Sequence, residues 1–242
     1  MPDDLERARA RLAQARRVAA LCGAGVSAES GVPTFRGPGG LWENHRPEDL
    51  ATPQAFGRDP VLVWRWYQWR RELISRCQPN PAHLALAELE RRLAEFTLIT
   101  QNVDGLHSLA GSRAPLEIHG SLWRLRCLGC GDEREDRRLD LPDLPRCGAC
   151  GGLLRPGVVW FGENLDHDLL ERAWQAAEAC QVMLVIGTSA VVQPAASLAC
   201  TAKRAGAFVV EVNLEATPNT GQVDVSLLGR AGDILPLLLA PA

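Results

Sequence analysis

Four cysteines, Cys127, Cys130, Cys147 and Cys150, stand as two Cys-x2-Cys pairs separated by 16 residues. Thiolates at this spacing suit tetrahedral zinc, and four of them leave no open coordination position, so the metal is expected to be structural. The charge run between the pairs, Asp132-Glu133-Arg134-Glu135-Asp136-Arg137-Arg138, carries both signs. It reads as a solvated face rather than a nucleic-acid-binding ribbon. A second constellation is Gly23-Ala24-Gly25-Val26-Ser27-Ala28, directly after the apolar run Val18 to Cys22. Gly23, Gly25 and Ala28 fit the G-x-G-x-x-G/A pattern, in which glycines let a backbone approach a pyrophosphate at a helix start. An ordinary tight turn can share that pattern. The ribose-binding acid of a hydride-transferring enzyme would fall near Glu43, but Glu43 lies in Gly37-Pro38-Gly39-Gly40-Leu41-Trp42-Glu43-Asn44, which is loop sequence. Nucleotide binding without hydride transfer is the expectation.

Three further groups carry polar chemistry. Thr100-Gln101-Asn102-Val103-Asp104-Gly105-Leu106-His107 follows a strand candidate, where parallel sheets place ligands. Its amide and carboxylate groups could grip a ribose and an amide, or Asn102 or Asp104 could cap a helix. Glu117-Ile118-His119-Gly120 also ends a strand candidate. His119 there is either a satisfied structural histidine or a general base suited to neutral pH. In Trp64-Arg65-Trp66-Tyr67-Gln68-Trp69-Arg70-Arg71, Tyr67 and Arg70 share a helix face. A guanidinium beside a phenol can hold a carboxylate, and spacing alone allows Arg71 the same role. Trp64, Trp66 and Trp69 read as core packing.

The elements that must position these groups alternate. A helix is predicted over Asp3 to Arg17, then a strand over Val18 to Cys22. Helices follow over Pro60 to Arg76 and Pro81 to Leu93, with Gly/Pro-rich loop sequence ahead of them. Strand candidates cover Phe96 to Thr100, Leu116 to His119 and Val158 to Phe161. A helix near His167 to Cys180 precedes a strand over Val182 to Gly187. A helix near Ala195 to Gly206, a strand over Phe208 to Asn213, and a final pair at Val223–Leu227 and Ile234–Leu239 complete the chain. Strand–helix alternation predicts an α/β fold with a mainly parallel sheet and helices on both faces. The segment from Pro33 to Leu93 and the cysteine module look like two insertions forming a second lobe.

A length of 242 residues with 46% apolar content suits one large domain with a smaller insert. The net charge of −3 gives no general attraction to nucleic acid or to an acidic membrane surface. No apolar run is long enough to span a membrane. Cys22, Cys77, Cys180 and Cys200 are scattered through apolar or helical segments and read as free thiols. A reducing cytoplasm fits all eight cysteines, and a cytoplasmic monomer is expected.

Together these pieces resemble the sirtuins, NAD-dependent protein-lysine deacylases. The match runs through the glycine loop, Gln101-Asn102-Val103-Asp104, Glu117-Ile118-His119-Gly120, the four cysteines, Val159-Trp160-Phe161-Gly162-Glu163, Gly187-Thr188-Ser189 and Asn213-Leu214-Glu215, in the family's order. The resemblance implies a Rossmann-type large domain from residues 1–32, 95–120 and 155–242. A helical insertion at 33–94 and a zinc module at 121–154 would form the small domain. By the same resemblance Gly23, Ala24, Gly25 and Ser27 would surround the NAD phosphates, with Arg36 near them, Phe35 over the nicotinamide ribose and Trp42 also in the cofactor site. Gln101, Asn102, Val103 and Asp104 would hold the ribose and nicotinamide amide, and Gly187, Thr188, Ser189, Asn213, Leu214, Glu215 and Ala231 the adenosine half. His119 would be the general base, with Asn102 and Asp104 as orienting catalytic groups. Val159, Trp160 and Phe161 would contact an acylated-lysine peptide by strand addition.

The family's mechanism has the acyl oxygen attack C1′ of the nicotinamide ribose and expel nicotinamide. His119 then helps a ribose hydroxyl attack the imidate, giving free lysine and O-acyl-ADP-ribose. Tyr-x-x-Arg marks class III sirtuins, and this resemblance selects Tyr67 and Arg70, with Ala51 as the small residue that admits a longer acyl chain. Succinyl and malonyl groups are the expected substrates, with acetyl retained. Gly157 departs from close class III relatives, which often carry a bulkier polar residue there. Two other readings of the same residues are protein ADP-ribosyl transfer and a non-catalytic NAD or ADP-ribose sensor. The joint presence of His119, Asn102 and Asp104 disfavours the sensor.

Overall fold

The computed structural model describes residues 2–35, 40–41 and 46–240. Its larger layer is a six-stranded sheet of β1 (Arg17–Cys22), β2 (Glu95–Thr100), β3 (Leu116–Glu117), β7 (Val182–Ile186), β8 (Phe208–Asn213) and β9 (Val225–Leu228). The spatial order is β3-β2-β1-β7-β8-β9, and every pairing is parallel. The run Val18–Cys22 is buried on both faces, as a central parallel strand requires. Its residues alternate between two cores. Val18, Ala20 and Cys22 pack toward α1 (Pro2–Gln14), α6 (Pro81–Arg92) and α10 (Ala231–Leu238). Ala19 and Leu21 pack toward α8 (His167–Ala179) and α9 (Ser197–Arg204). The doubly covered α/β sheet expected from sequence is therefore present.

Between β1 and β2 the chain leaves the sheet through α2 (Gly25–Ala28), α3 (Pro47–Leu50), α4 (Pro53–Arg58), α5 (Pro60–Ile74) and α6. Three of these helices start alike, with a capping side chain and then proline at the first helical position. Thr52 accepts from Ala55 N, Asp59 from Leu62 N, and Asn80 from Ala82 N and His83 N. Each such cap is worth about 1 kcal/mol, and proline there sacrifices no hydrogen bond. The Gly/Pro-rich stretch read as loop thus holds short helices, which lack the length for a periodic signal.

The smaller sheet is antiparallel, β5-β4-β6, from β4 (Gly120–Cys127), β5 (Glu133–Glu135) and β6 (Leu154–Val158). Here the structure corrects the strand reading of Val158 to Phe161. The strand ends at Val158 and belongs to this sheet, while Val159 lies just beyond it, its N–H donating to His119 O at 2.9 Å. The smaller lobe has its own core, in which Trp64, Trp66, Tyr67, Trp123, Trp160 and Phe56 pack against the inner ends of the four-cysteine module. Trp64 and Trp66 are core as expected, but Trp69 is 44% exposed and is not. Among the described residues no helix is long and apolar enough to cross a membrane.

Candidate active site

The order of strands reverses between β1 and β7, and parallel α/β sheets bind ligands at the carboxyl ends beside such a reversal. The glycine loop lies there. Gly23 N donates to Ile186 O at 2.9 Å and Gly25 N to Gly187 O at 2.8 Å, tying the loop after β1 to the loop after β7. A Cβ on Gly25 would stand 2.8 Å from the Gly187 carbonyl oxygen, and one on Gly187 only 2.5 Å from Val26 N. Gly187 also has φ +58°, a conformation that favours glycine. The loops close on each other only because both lack side chains. Ala24 is half-buried at this turn and Ser27 fully buried beneath it.

The loop after β2 supplies the polar groups. Asn102 Nδ2 donates to Gly23 O and to Ser27 Oγ, both at 3.1 Å. His83, on α6, had not been singled out from sequence. Its Nδ1 lies 3.3 Å from the Asn80 N–H and accepts from it, so Nε2 carries the hydrogen toward Ser27 Oγ at 3.3 Å. With two donors aimed at its oxygen, Ser27 has its own hydrogen left to give, and it favours the ionised form of the nearby Asp104. Asn80 and His83 form a capping box at the start of α6, and nothing local in the sequence announces its reach to Ser27. Asp104 also accepts from Leu106 N at 2.8 Å, so it holds the first backbone N–H of the short helix Leu106–Leu109, although the N-cap position itself is Gly105. Burial raises its pKa above the usual carboxylate value, opposed by Leu106 N–H, Ser27 and Arg70. Burial pushes His83 down to about 4, so it is neutral near pH 7.

Gln101 and His119 complete this edge. Gln101 Nε2 donates to Thr188 Oγ1 at 3.0 Å, and Gln101 O lies 3.2 Å from His119 Nδ1. A carbonyl can only accept, so Nδ1 bears the proton and Nε2 holds the free lone pair. Burial lowers the His119 pKa, and the hydrogen bond to Gln101 O partly restores it. Val103 is buried in the core of the smaller lobe. On the far side Asn213 Nδ2 donates to Thr188 O at 2.9 Å, with Ser189, Leu214 and Glu215 exposed beside it. Ala231 is buried at the first turn of α10, where Glu29 Oε1 accepts from Gly232 N at 2.9 Å. Every one of these groups follows the carboxyl end of a parallel strand. Arg36 and Trp42 lie outside the described residues.

The smaller lobe adds a second set. Arg70 is 5% exposed, with its guanidinium carbon 5.0, 5.1 and 5.9 Å from the rings of Trp66, Phe35 and Tyr67. Among the described residues it makes no hydrogen bond or ion pair. The Tyr67 hydroxyl accepts from Trp160 Nε1 at 2.8 Å. Burial pushes that phenol up to about 12. Arg71, which spacing had left as an alternative, faces the other way. Its guanidinium donates to Leu122 O and Asp136 O at 2.5 Å and to Arg138 O at 2.8 Å. Ala51 is buried, and its carbonyl accepts from Phe161 N at 2.9 Å. Phe161 is 45% exposed and Val159 half-buried, but Trp160 turns inward at 3%. Gly157 is explained by β4, because a Cβ there would stand 2.7 Å from Arg124 Cβ.

The sulfur atoms of Cys127, Cys130, Cys147 and Cys150 all lie within 4.8 Å of one another. The Cys127–Cys150 and Cys130–Cys147 pairs are 3.4 and 3.8 Å apart. A tetrahedron of ~2.3 Å zinc–sulfur bonds has edges of about 3.8 Å, so the cluster is compatible with zinc. A cavity of about 320 Å³ opens at the opposite, amino-terminal edge of the large sheet, between Arg17, Glu95 and Arg172, and touches none of these groups.

Residues 23–194 match the model of the Sir2 family. The NAD-dependent protein deacylase 2 of Pyrobaculum aerophilum is 55% identical over 94% of this chain and 92% of its own. A Sir2 homolog solved with NAD superposes with a TM-score of 0.92 at 52% identity, covering 97% of this chain and 92% of that one. A Sir2 enzyme solved with a p53 peptide and NAD superposes at 0.86 with 32% identity, covering 96% and 95% of the two chains. With residues 23–194 matched by the family model and relatives above 50% identical over most of both chains, the chain belongs to the Sir2 family, the sirtuins.

Proposed function

We propose that this class III sirtuin, an NAD-dependent protein deacylase, removes succinyl and malonyl groups from protein lysine, with deacetylation retained. The observation that supports this preference is Arg70. A guanidinium that is almost wholly buried, with rings around it and no acceptor among the described residues, keeps its N–H donors unspent until a ligand completes them. Tyr67 stands beside it with its hydroxyl proton unspent, since Trp160 occupies the acceptor side. Two convergent donors suit a terminal carboxylate, and an acetyl group has none to offer.

When bound, NAD supplies an electrophilic C1′ with nicotinamide as its leaving group, which the acyl oxygen attacks. On this reading Gly23, Ala24, Gly25 and Ser27 receive the phosphates, and Gly187 to Ser189, Asn213 to Glu215 and Ala231 the adenosine. Gln101, Asn102 and Asp104 orient the ribose and the amide, held by Thr188, Gly23 and Ser27. Asp104, buried near the cleft, offers negative charge where a cation-like sugar carbon needs it. His119 takes the proton of a ribose hydroxyl at Nε2, because Gln101 O fixes the other nitrogen as the protonated one. Val159 and Phe161 line the path of the substrate peptide, and a zinc ion bound by the four cysteines holds the smaller sheet.

The test is turnover of one lysine peptide carrying each acyl group in turn. Hydrogen bonds to a charged group are worth about 1.5–3 kcal/mol. Arg70→Met is therefore expected to lower kcat/KM on the succinyl peptide roughly ten- to a hundredfold, with a much smaller fall on the acetyl peptide. An equal loss on both peptides rejects the carboxylate assignment.

A further inference from the structure

Tyr67 is the only tyrosine of the chain, and the direction of its hydroxyl proton is set from outside the acyl site. Indole N–H can only donate. Trp160 Nε1 at 2.8 Å therefore obliges the phenol oxygen to accept there, and it leaves the phenol proton to point elsewhere. Among the described residues nothing else receives that proton.

The indole is itself held by an ion pair that the deacylation chemistry does not use. Arg155 places its guanidinium carbon 3.4 Å from the centre of the Trp160 ring. Its terminal nitrogens reach the two Glu163 oxygens at 2.5 and 2.9 Å, in the bidentate arrangement that fixes both planes. The same arginine donates to Val158 O at 2.7 Å and Pro156 O at 3.3 Å. Glu163 Oε2 also accepts the Trp160 backbone N–H at 2.8 Å, and Glu163 N donates to Trp160 O at 3.0 Å. Phe56 closes the remaining side of the indole at 5.2 Å between ring centres. These contacts together hold the ring against Tyr67.

We propose that Trp160, clamped by the Arg155–Glu163 pair, is a specificity-determining positioning residue that forces Tyr67 to present its proton to an acyl carboxylate. This rests on the reading of Tyr67 and Arg70 as the carboxylate site. Without the indole N–H, nothing fixes the rotation of the phenol hydroxyl, and the acyl carboxylate loses one of its two preset donors. An acetyl group, lacking the carboxylate, gains nothing from the arrangement. Selectivity between acyl groups, rather than overall rate, is what the clamp controls.

Trp160→Phe keeps a ring between Phe56 and Arg155 and deletes the N–H. The ratio of kcat/KM on succinyl-lysine to acetyl-lysine peptide is expected to fall about fivefold, mainly through KM on the succinyl peptide. Glu163→Gln retains an acceptor for the Trp160 backbone N–H while loosening Arg155, and is expected to lower the same ratio by a smaller factor. Protein labelled with 13Cζ-tyrosine reports the cause through a single resonance. In wild type, succinyl-lysine peptide shifts that resonance; in Trp160→Phe the free-state position moves and the peptide-induced shift shrinks. A ratio unchanged in both variants, or an unaltered peptide-induced shift in Trp160→Phe, overturns the proposal. If Arg70→Met itself fails to discriminate between the peptides, the carboxylate site is wrong. If Arg70→Met discriminates and Trp160→Phe does not, only the role given to Trp160 falls.

Discussion

Two adjacent arginines on α5 should respond to the same substitution in opposite ways. Arg70 is desolvated, faces three rings, feels Asp104 only as a nearby charge and has no hydrogen-bond acceptor among the described residues. Arg71 is as deeply buried but donates to three backbone carbonyls and stands 3.8 Å from the Asp136 carboxylate. Taking a cation out of water costs several kcal/mol, and each desolvated ring contact returns about 2 kcal/mol. For Arg70 the two nearly cancel, so methionine, which fills the space without charge, should leave stability unchanged or raise it by about 1 kcal/mol. For a chain of 242 residues that is a rise in Tm of roughly 2–4 °C at most. Arg71→Met leaves Leu122 O, Asp136 O and Arg138 O without this donor, while the Asp136 carboxylate keeps Arg138, a loss of about 3–5 kcal/mol. Its Tm should fall by roughly 10 °C on the same scale. Urea and thermal unfolding of zinc-saturated protein, followed by tryptophan fluorescence, measure both. If Arg70→Met destabilises as much as Arg71→Met, then Arg70 already has its partner in the free protein. The argument for an acyl carboxylate then loses its ground.

Other expectations follow from titration and from the metal. His119 acts while its Nε2 is unprotonated, and burial lowers its pKa, so the acid limb of kcat/KM should have its midpoint below pH 6.5; a limb centred above that value contradicts the geometry. Burial holds His107 down at about 3, and among the described residues neither ring nitrogen has a hydrogen-bond partner. The unfolded chain takes up that proton first, so stability present above about pH 6.5 is lost as pH falls toward 3, and His107→Leu should flatten this decline in acid-unfolding curves. One zinc per chain should be found by elemental analysis, and Cys147→Ala should lower both zinc content and Tm. Full thermal stability without zinc would refute a structural metal.

How much of this was legible depends on whether the signal is local. The glycine loop was readable because the requirement at Gly23 and Gly25 is a backbone one, and the following hydroxyl and small residues keep their spacing. The loops bearing Gln101, Asn102 and His119 were found because each closes an apolar strand. Arg70 and Arg71 could not be separated by spacing, since both fall within one turn of Tyr67. What divides them is that one faces the carbonyls of β4 and the charge run and the other faces rings, a fact of tertiary packing. The strands β4 and β5 were missed because zinc ligands and mixed charge mask any alternation, and α3 and α4 because they are too short. Trp160 was expected at the peptide surface, but its indole is drawn inward by Arg155 and Tyr67, partners 5 and 93 residues away in the chain.

The division between the lobes has a consequence for how specificity can change. The groups assigned to the nucleotide stand at the ends of a parallel sheet whose loops interlock through glycine, so little can vary there without opening the contact between Gly25 and Gly187. The groups assigned to the acyl tail stand on α5 and on the turn after β6, in a separate core. Replacing a side chain there alters what the far end of the substrate meets and leaves Gln101, Asn102 and His119 where they are. Phe35 is the point of contact, since it belongs to the segment after the glycine loop yet lies 5.1 Å from the Arg70 guanidinium carbon. A substitution at Phe35 should therefore disturb nucleotide binding and acyl preference together, whereas one at Arg70 should disturb acyl preference alone. Measuring NAD affinity and acyl preference in both variants separates a two-lobe division of labour from a single undivided site.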